Sequence, residues 1–240
     1  MAKDNIHGGH RERLRARVIA DPELDTFTDH EALELLLFYA IPRADTNILA
    51  HRLIAKFGSL RAVMDASPEE LATVEGIGQS AAVFISVIRS VTRKYLLSRT
   101  VGSVRLSDSD ALGEALLPYF VGRKEEIAYI LFLDKNRRTI SCDLVCRGNV
   151  NAVTINTARI VSLAKARKAE FAILAHNHTG GFANPSQQDY LTTQKVMLAL
   201  KEIDVKLLDH LIFADPLGDG ELPVIGEFVS LAQSGAFTGR

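Results

Sequence analysis

The sequence predicts a chain in two parts, an all-helical region over residues 1–100 and a mixed α/β domain over residues 105–240. Three observations carry this. In the first part, apolar residues recur at steps of three and four within short segments, the period of a helix face. Residues 98–110, SRTVGSVRLSDSD, are small, polar and rich in Gly and Ser, as linkers are. Beyond them, runs of β-branched and aromatic residues alternate with helical stretches, the pattern of a sheet core flanked by helices.

The elements follow in order. HRERLRAR (10–17) carries Arg11, Arg13, Arg15 and Arg17, a solvated helix face, a mobile arm or a local basic patch. EALELLLFYA (31–40) and TNILAHRLIAKF (46–57) are helices, with Asp29 placed to cap the first and Asp45 or Thr46 the second. Phe57-Gly58-Ser59 closes that helix and opens LRAVM; Ser67-Pro68-Glu69-Glu70 starts PEELATV with a Ser cap, Pro in the first turn and two acids. VEGIG (74–78) then leads into a helix from Gln79 to Leu96. Gly76 and Gly78 permit a tight turn or close backbone approach, and the helix start offers free N–H groups to a phosphate. The unit resembles a helix-hairpin-helix, a module that grips the DNA backbone, with Gly76 and Gly78 as contacts and Arg89, Arg93 and Lys94 as expected phosphate partners. Packing two helices together is the plainer role.

In the second part a helix is expected near 108–120. The strand-like runs are IAYILFLD, TISCDLVCRG, AVTI, FAILA, VKLLDHLIFAD and EFVSLA. Helices at about 157–168 and 186–202 interrupt them. Cys142 and Cys146, four apart in one run, should share a strand face as small buried apolar residues. Two cysteines make no disulfide framework, which fits a reducing cytoplasm. No apolar run approaches the ~20 residues that span a bilayer, and the N-terminus lacks the apolar core of a secretory signal. Net charge is -1, so a nucleic-acid role has to come from a local patch.

The densest chemistry lies in AILAHNHTGGFANPSQQDY (172–190). His176 and His178 are two apart at a strand end, so both imidazoles face one side and can meet one ion. Ser186 and Asp189 lie three apart at a helix start, and Asp189 can complete a three-residue site with a position left for water. Ser-x-x-Asp by itself reads as a helix cap, and His-x-His by itself as surface histidines. Together, at these spacings, the four arise by chance roughly once in a thousand such sequences, so the joint reading outweighs the separate ones. A hydrolase also needs a carboxylate to move the water's proton. Glu125 and Glu126 stand at the mouth of a strand, and the residues alone do not choose between them or against a solvated charged turn.

HNH…NPSQQD matches the JAMM/MPN+ metalloprotease motif. EEIAYILFLDKNRR, ARIVSLAKARKAEFAILAHNH, LLDHLIFAD, FVSLAQSG and LAHRLIAKFGSLRAVMDASPEELATVEGIGQSAA make the chain similar to the bacterial RadC (UPF0758) family over nearly its whole length. The resemblance implies a JAMM/MPN α/β/α fold, related to the cytidine-deaminase-like sandwich. It implies Zn²⁺ held by His176, His178 and Asp189, with Glu126 activating water and Ser186 stabilising an oxyanion in amide or isopeptide hydrolysis. His210 matches a family position and reads equally as an outer partner of the metal site or a core histidine. Thr179, Gly180, Gly181, Phe182 and Ala183 depart from the Pro and Ser-Gly-Asp-Pro that the family usually carries there, which bears on substrate choice. A peptide or protein substrate is implied. The rival readings are a DNA-binding, repair-associated protein acting through residues 1–100, and, ranked last, a nuclease or deaminase. The deaminase Pro-Cys-x-x-Cys is absent.

Overall fold

The computed structural model describes residues 6–100, 109–151, 154–179, 182–214 and 228–235. Residues 101–108 of the expected linker, Gly180 and Gly181 of the loop, and Asp215 and Glu227 at two expected strand ends lie outside them. The chain divides into two compact units, Met1–Thr92 and Arg93–Arg240, and the division falls inside a helix.

The first unit is helical: α1 (Ile6–Ala20), α2 (Asp29–Ala40), α3 (Thr46–Phe57), α4 (Leu60–Asp65), α5 (Pro68–Leu71) and the start of α6 (Gln79–Thr100). Its core is the apolar stripe of each helix, including Leu33, Leu37, Leu53, Leu71 and Ile85, all fully buried. Asp45, Ser59 and Ser67 accept hydrogen bonds from the first turns of α3, α4 and α5, as N-caps do. The α2 cap is Thr28, not Asp29. Glu31 reaches back to the Thr28 N–H at 3.0 Å, which fixes the helix start one residue earlier.

Two of the four N-terminal arginines are structural. Arg11 donates to the Ile41, Pro42 and Ala44 carbonyls after α2, at 3.0, 2.7 and 2.7 Å. Arg17 pairs with Glu31 at 2.7 Å. That pair, ahead of the Thr28 backbone bond, lowers the Glu31 carboxyl from 4.5 to about 2. A depressed carboxyl stabilises the fold above its unfolded value and loses that contribution as pH falls from 4.5 to about 2. Glu31→Gln is therefore expected to cost about 1 kcal/mol near neutral pH, with the gap to wild type closing through that window in urea titrations. The loss stays this small because Arg17 is 40% exposed and solvent screens the pair.

In the second unit α7 (Ser109–Phe120) is followed by β1 (Ile127–Leu133), β2 (Thr139–Arg147), α8 (Thr157–Arg167), β3 (Phe171–His178), α9 (Gln187–Lys201), β4 (Lys206–Ala214) and β5 (Phe228–Ser230). The strands form one mixed sheet in the order β2-β1-β3-β4-β5. β3 and β4 are parallel, joined through α9, and the other pairs are antiparallel. One face packs on α8 and α9 and the other on α7, which gives an α/β/α layering. β1, central and buried along its whole length, has the continuous apolar run of a strand covered on both faces.

Three local expectations are corrected. Of AVTI, Ala152 and Val153 lie outside the described residues and Thr154 and Ile155 are not strand; Asn151 and Thr154 exchange side-chain-to-backbone bonds at 3.0 Å. Of EFVSLA, only Phe228–Ser230 is strand; the Leu231 N–H still bonds the His210 carbonyl, and Ser230 then accepts from the Gln233 and Ser234 N–H groups as the chain turns. Cys142 and Cys146 pack on opposite faces of the sheet, because the register slips between the Cys146 and Leu144 pairings and reverses the alternation. Both thiols are free, and burial pushes Cys142 up to about 12. Among the described residues no helix is long and apolar enough to cross a membrane.

Candidate metal centre

β3 ends in His176-Asn177-His178, so alternation sends both histidines to the α9 side. α9 starts at Ser186, which forms a reciprocal capping box with Asp189, its hydroxyl 2.6 Å from Asp189 Oδ2. The cap holds Asp189, 1% exposed, against the strand. His176 Nε2 lies 3.0 Å from Asp189 Oδ1 and His178 Nε2 lies 3.4 Å from Oδ2. One potential ligand atom from each of the three lies within 4.8 Å of the others, close enough for the side chains to converge on one ion. The three residues form a group that could bind a metal.

The hydrogen-bond chain behind His176 sets its protonation. The Asp189 carbonyl can only accept, so Thr193 Oγ1, at 2.6 Å, gives it its proton. Thr193 therefore accepts from His210 Nδ1, also at 2.6 Å. His210 then carries its proton on Nδ1 and offers Nε2 as acceptor to His176 Nδ1, 2.8 Å away. His176 is left with a bare lone pair at Nε2, buried and without a hydrogen-bond partner. Its 3.0 Å approach to Asp189 sets a lone pair against a carboxylate, an arrangement that a cation between them makes favourable. Burial lowers His210 well below the ordinary imidazole value and keeps it neutral. Asp189 is held well below the usual carboxylate range against the opposing effect of burial. The same carboxylate raises His178.

Glu126, just before β1, lines a cavity of about 360 Å³ together with Asn149, Val150, His178, Phe182, Ser186 and Asp189. Its Oε2 accepts the Val150 N–H at 3.0 Å. Glu125 points elsewhere and pairs with Arg147 at 3.6 Å, half exposed. Asn177, between the two histidines, brackets Glu126: its Oδ1 accepts the Ile127 N–H at 2.9 Å and its amide donates to the Glu125 carbonyl at 3.2 Å. The sequence reading passed over Asn177 and Thr193. The signal for Asn177 was its place between two metal-ligating types; Thr193 carries none without the packing of α9 on β4.

The glycine hairpin is built for packing on its Gly76 side. Gly76 has φ +90°, and a Cβ there would meet Leu49 Cδ2 at 2.5 Å. Gly78 is open on its Cα side. Of the residues expected to meet phosphate, Arg89 bonds Asp65 and Arg93 bonds α7 carbonyls, and Lys94 is exposed.

A family model described as RadC-like JAB domain matches residues 106–235. A UPF0758 protein of Alcanivorax borkumensis is 31% identical over 226 residues, 94% of each chain. A UPF0758 protein of Vibrio parahaemolyticus is 32% identical over 208 residues, 87% of this chain and 88% of its own.

Proposed function

The chain belongs to the RadC-like JAB domain family, and from that premise we propose that it is a zinc-dependent hydrolase acting on amide or isopeptide bonds of a peptide or protein. The buried, lone-pair-bearing Nε2 of His176 facing Asp189 carries the reading. Two imidazoles and one carboxylate are a donor set that suits Zn²⁺. When bound, the ion supplies Lewis acidity, lowering the pKa of water toward ~7. His176, His178 and Asp189 would hold it. Glu126, presented by Asn177 and Val150, takes a proton from the attacking water and returns it to the leaving amine. Ser186 turns its hydroxyl from Asp189 to the oxyanion that forms on the substrate carbonyl. Phe182, 70% exposed, lines the same cavity as Glu126 and is offered to the substrate.

His210 and Thr193 act through His176 by fixing which nitrogen carries its proton. Thr193→Val keeps the shape and removes the hydroxyl. It is expected to weaken zinc binding about 10–100-fold in chelator competition, with the far-UV circular dichroism unchanged. The reaction itself is tested by digesting an unbiased peptide library with wild type and Glu126→Ala. Cleavage products that appear only with wild type support a peptidase, and identical digests overturn it.

A further inference from the structure

Three arginines gather beside the Glu126 end of β1, on the sheet face opposite the histidines. Tyr129, on β1, packs there against Tyr119 of α7. Arg93 donates Nε–H to the Pro118 carbonyl at 3.1 Å, and Nη2 to the Tyr119 carbonyl at 3.5 Å and the Tyr129 hydroxyl at 3.4 Å. Arg123 donates Nε–H to the same Tyr119 carbonyl and Nη2 to the same hydroxyl, each at 3.3 Å. Both guanidiniums are thus pinned along one edge by the last turn of α7 and a phenol. Among the described residues neither Nη1 has an acceptor, and no carboxylate lies within ion-pair distance of either arginine.

The third, Arg147, pairs with Ile127 across the sheet, and its ion pair is Glu125 at 3.6 Å, both groups half exposed or more. Its charge reaches Arg123, which is lowered by burial first, then by the fields of Arg93 and Arg147. Three cations facing one exposed carboxylate leave about two positive charges uncompensated, and the C-terminal end of α7 supplies only about −0.5. Pre-set guanidinium forks with spare N–H groups are the chemistry that recognises a tetrahedral oxyanion.

We propose that Arg93, Arg123 and Arg147 form a binding site for a phosphate dianion, either free phosphate or the terminal group of a phosphomonoester. The two inner arginines supply their Nη1 donors, and Arg147 closes the open side by exchanging Glu125 for the ligand. Arg123 is three residues from Glu126, so their Cα atoms are at most about 11 Å apart, and the site borders the metal cavity without sharing a residue with it. The inference does not depend on the hydrolase reading.

Isothermal titration of the full chain with inorganic phosphate at constant ionic strength tests it, with phenyl phosphate as the monoester arm. One saturable site is expected, weakened at least tenfold in Arg123→Gln and in Arg93→Lys, which keeps the charge and loses the fork. Should either variant fail to fold, Arg147→Gln decides, since its exposed side chain is dispensable to folding and its loss is expected to weaken binding at least threefold. Tighter binding of phenyl phosphate assigns the site to monoesters, and binding of inorganic phosphate alone assigns it to the free ion. No saturable binding overturns the proposal. So does phosphate binding that is indifferent to all three arginines and disappears after EDTA treatment, the result expected of phosphate on a metal.

Discussion

His176→Ala is expected to lose its zinc and its hydrolytic activity together. Removing the imidazole deletes the one buried nitrogen whose lone pair faces Asp189, and it leaves His210 Nε2 buried without its donor. Losing one of three ligands should weaken zinc binding by more than about 100-fold, beyond what loss of an outer partner costs. Metal analysis of the purified variant should fall from about one zinc per chain to a small fraction, and cleavage of any substrate found by library digestion should drop to background. A variant that kept a full complement of zinc would show that His176 is not a ligand.

Glu126→Gln is expected to separate binding from chemistry. The amide oxygen can still accept the Val150 N–H, so the loop and the cavity keep their shape. What goes is the carboxylate that takes the water's proton, and general-base loss costs typically about 10²–10⁴ in rate. Zinc content should match wild type while kcat falls by that factor with KM little changed. A parallel loss of zinc would make Glu126 a ligand instead, and an unchanged kcat would assign the proton to another group.

Much of this was legible in the sequence because the chemistry is local. His176 and His178 need only strand alternation to share a side, and Ser186 and Asp189 need only the geometry of a helix start. A mixed α/β domain with a sheet core followed from runs of strand-like and helical residues in turn, and the α/β/α layering from the family resemblance. What escaped depended on contacts between distant elements. Thr193 and His210 meet because α9 packs on β4, a contact 17 residues apart in sequence. Asn177 reaches the backbone around Glu126, some 50 residues away, because β1 and β3 pair antiparallel. The slip in β2 that splits Cys142 from Cys146 leaves no compositional trace, since a bulge adds a residue without changing its type. Thr154 and Ile155 are strand-like residues, yet the Asn151–Thr154 bonds outweigh that preference. HRERLRAR suggested a basic patch, a solvated face or a mobile arm, but partners nine and more residues away take up Arg11 and Arg17.

The central claim is that His176, His178 and Asp189 hold one zinc ion. X-ray absorption at the zinc edge on the natively purified chain tests it most directly. The expected spectrum shows about one zinc per chain in a shell of nitrogen and oxygen at ~2.0–2.2 Å, with the outer-shell scattering of two imidazoles. A folded chain that takes up no zinc, or a shell containing sulfur from Cys142 or Cys146, would contradict it.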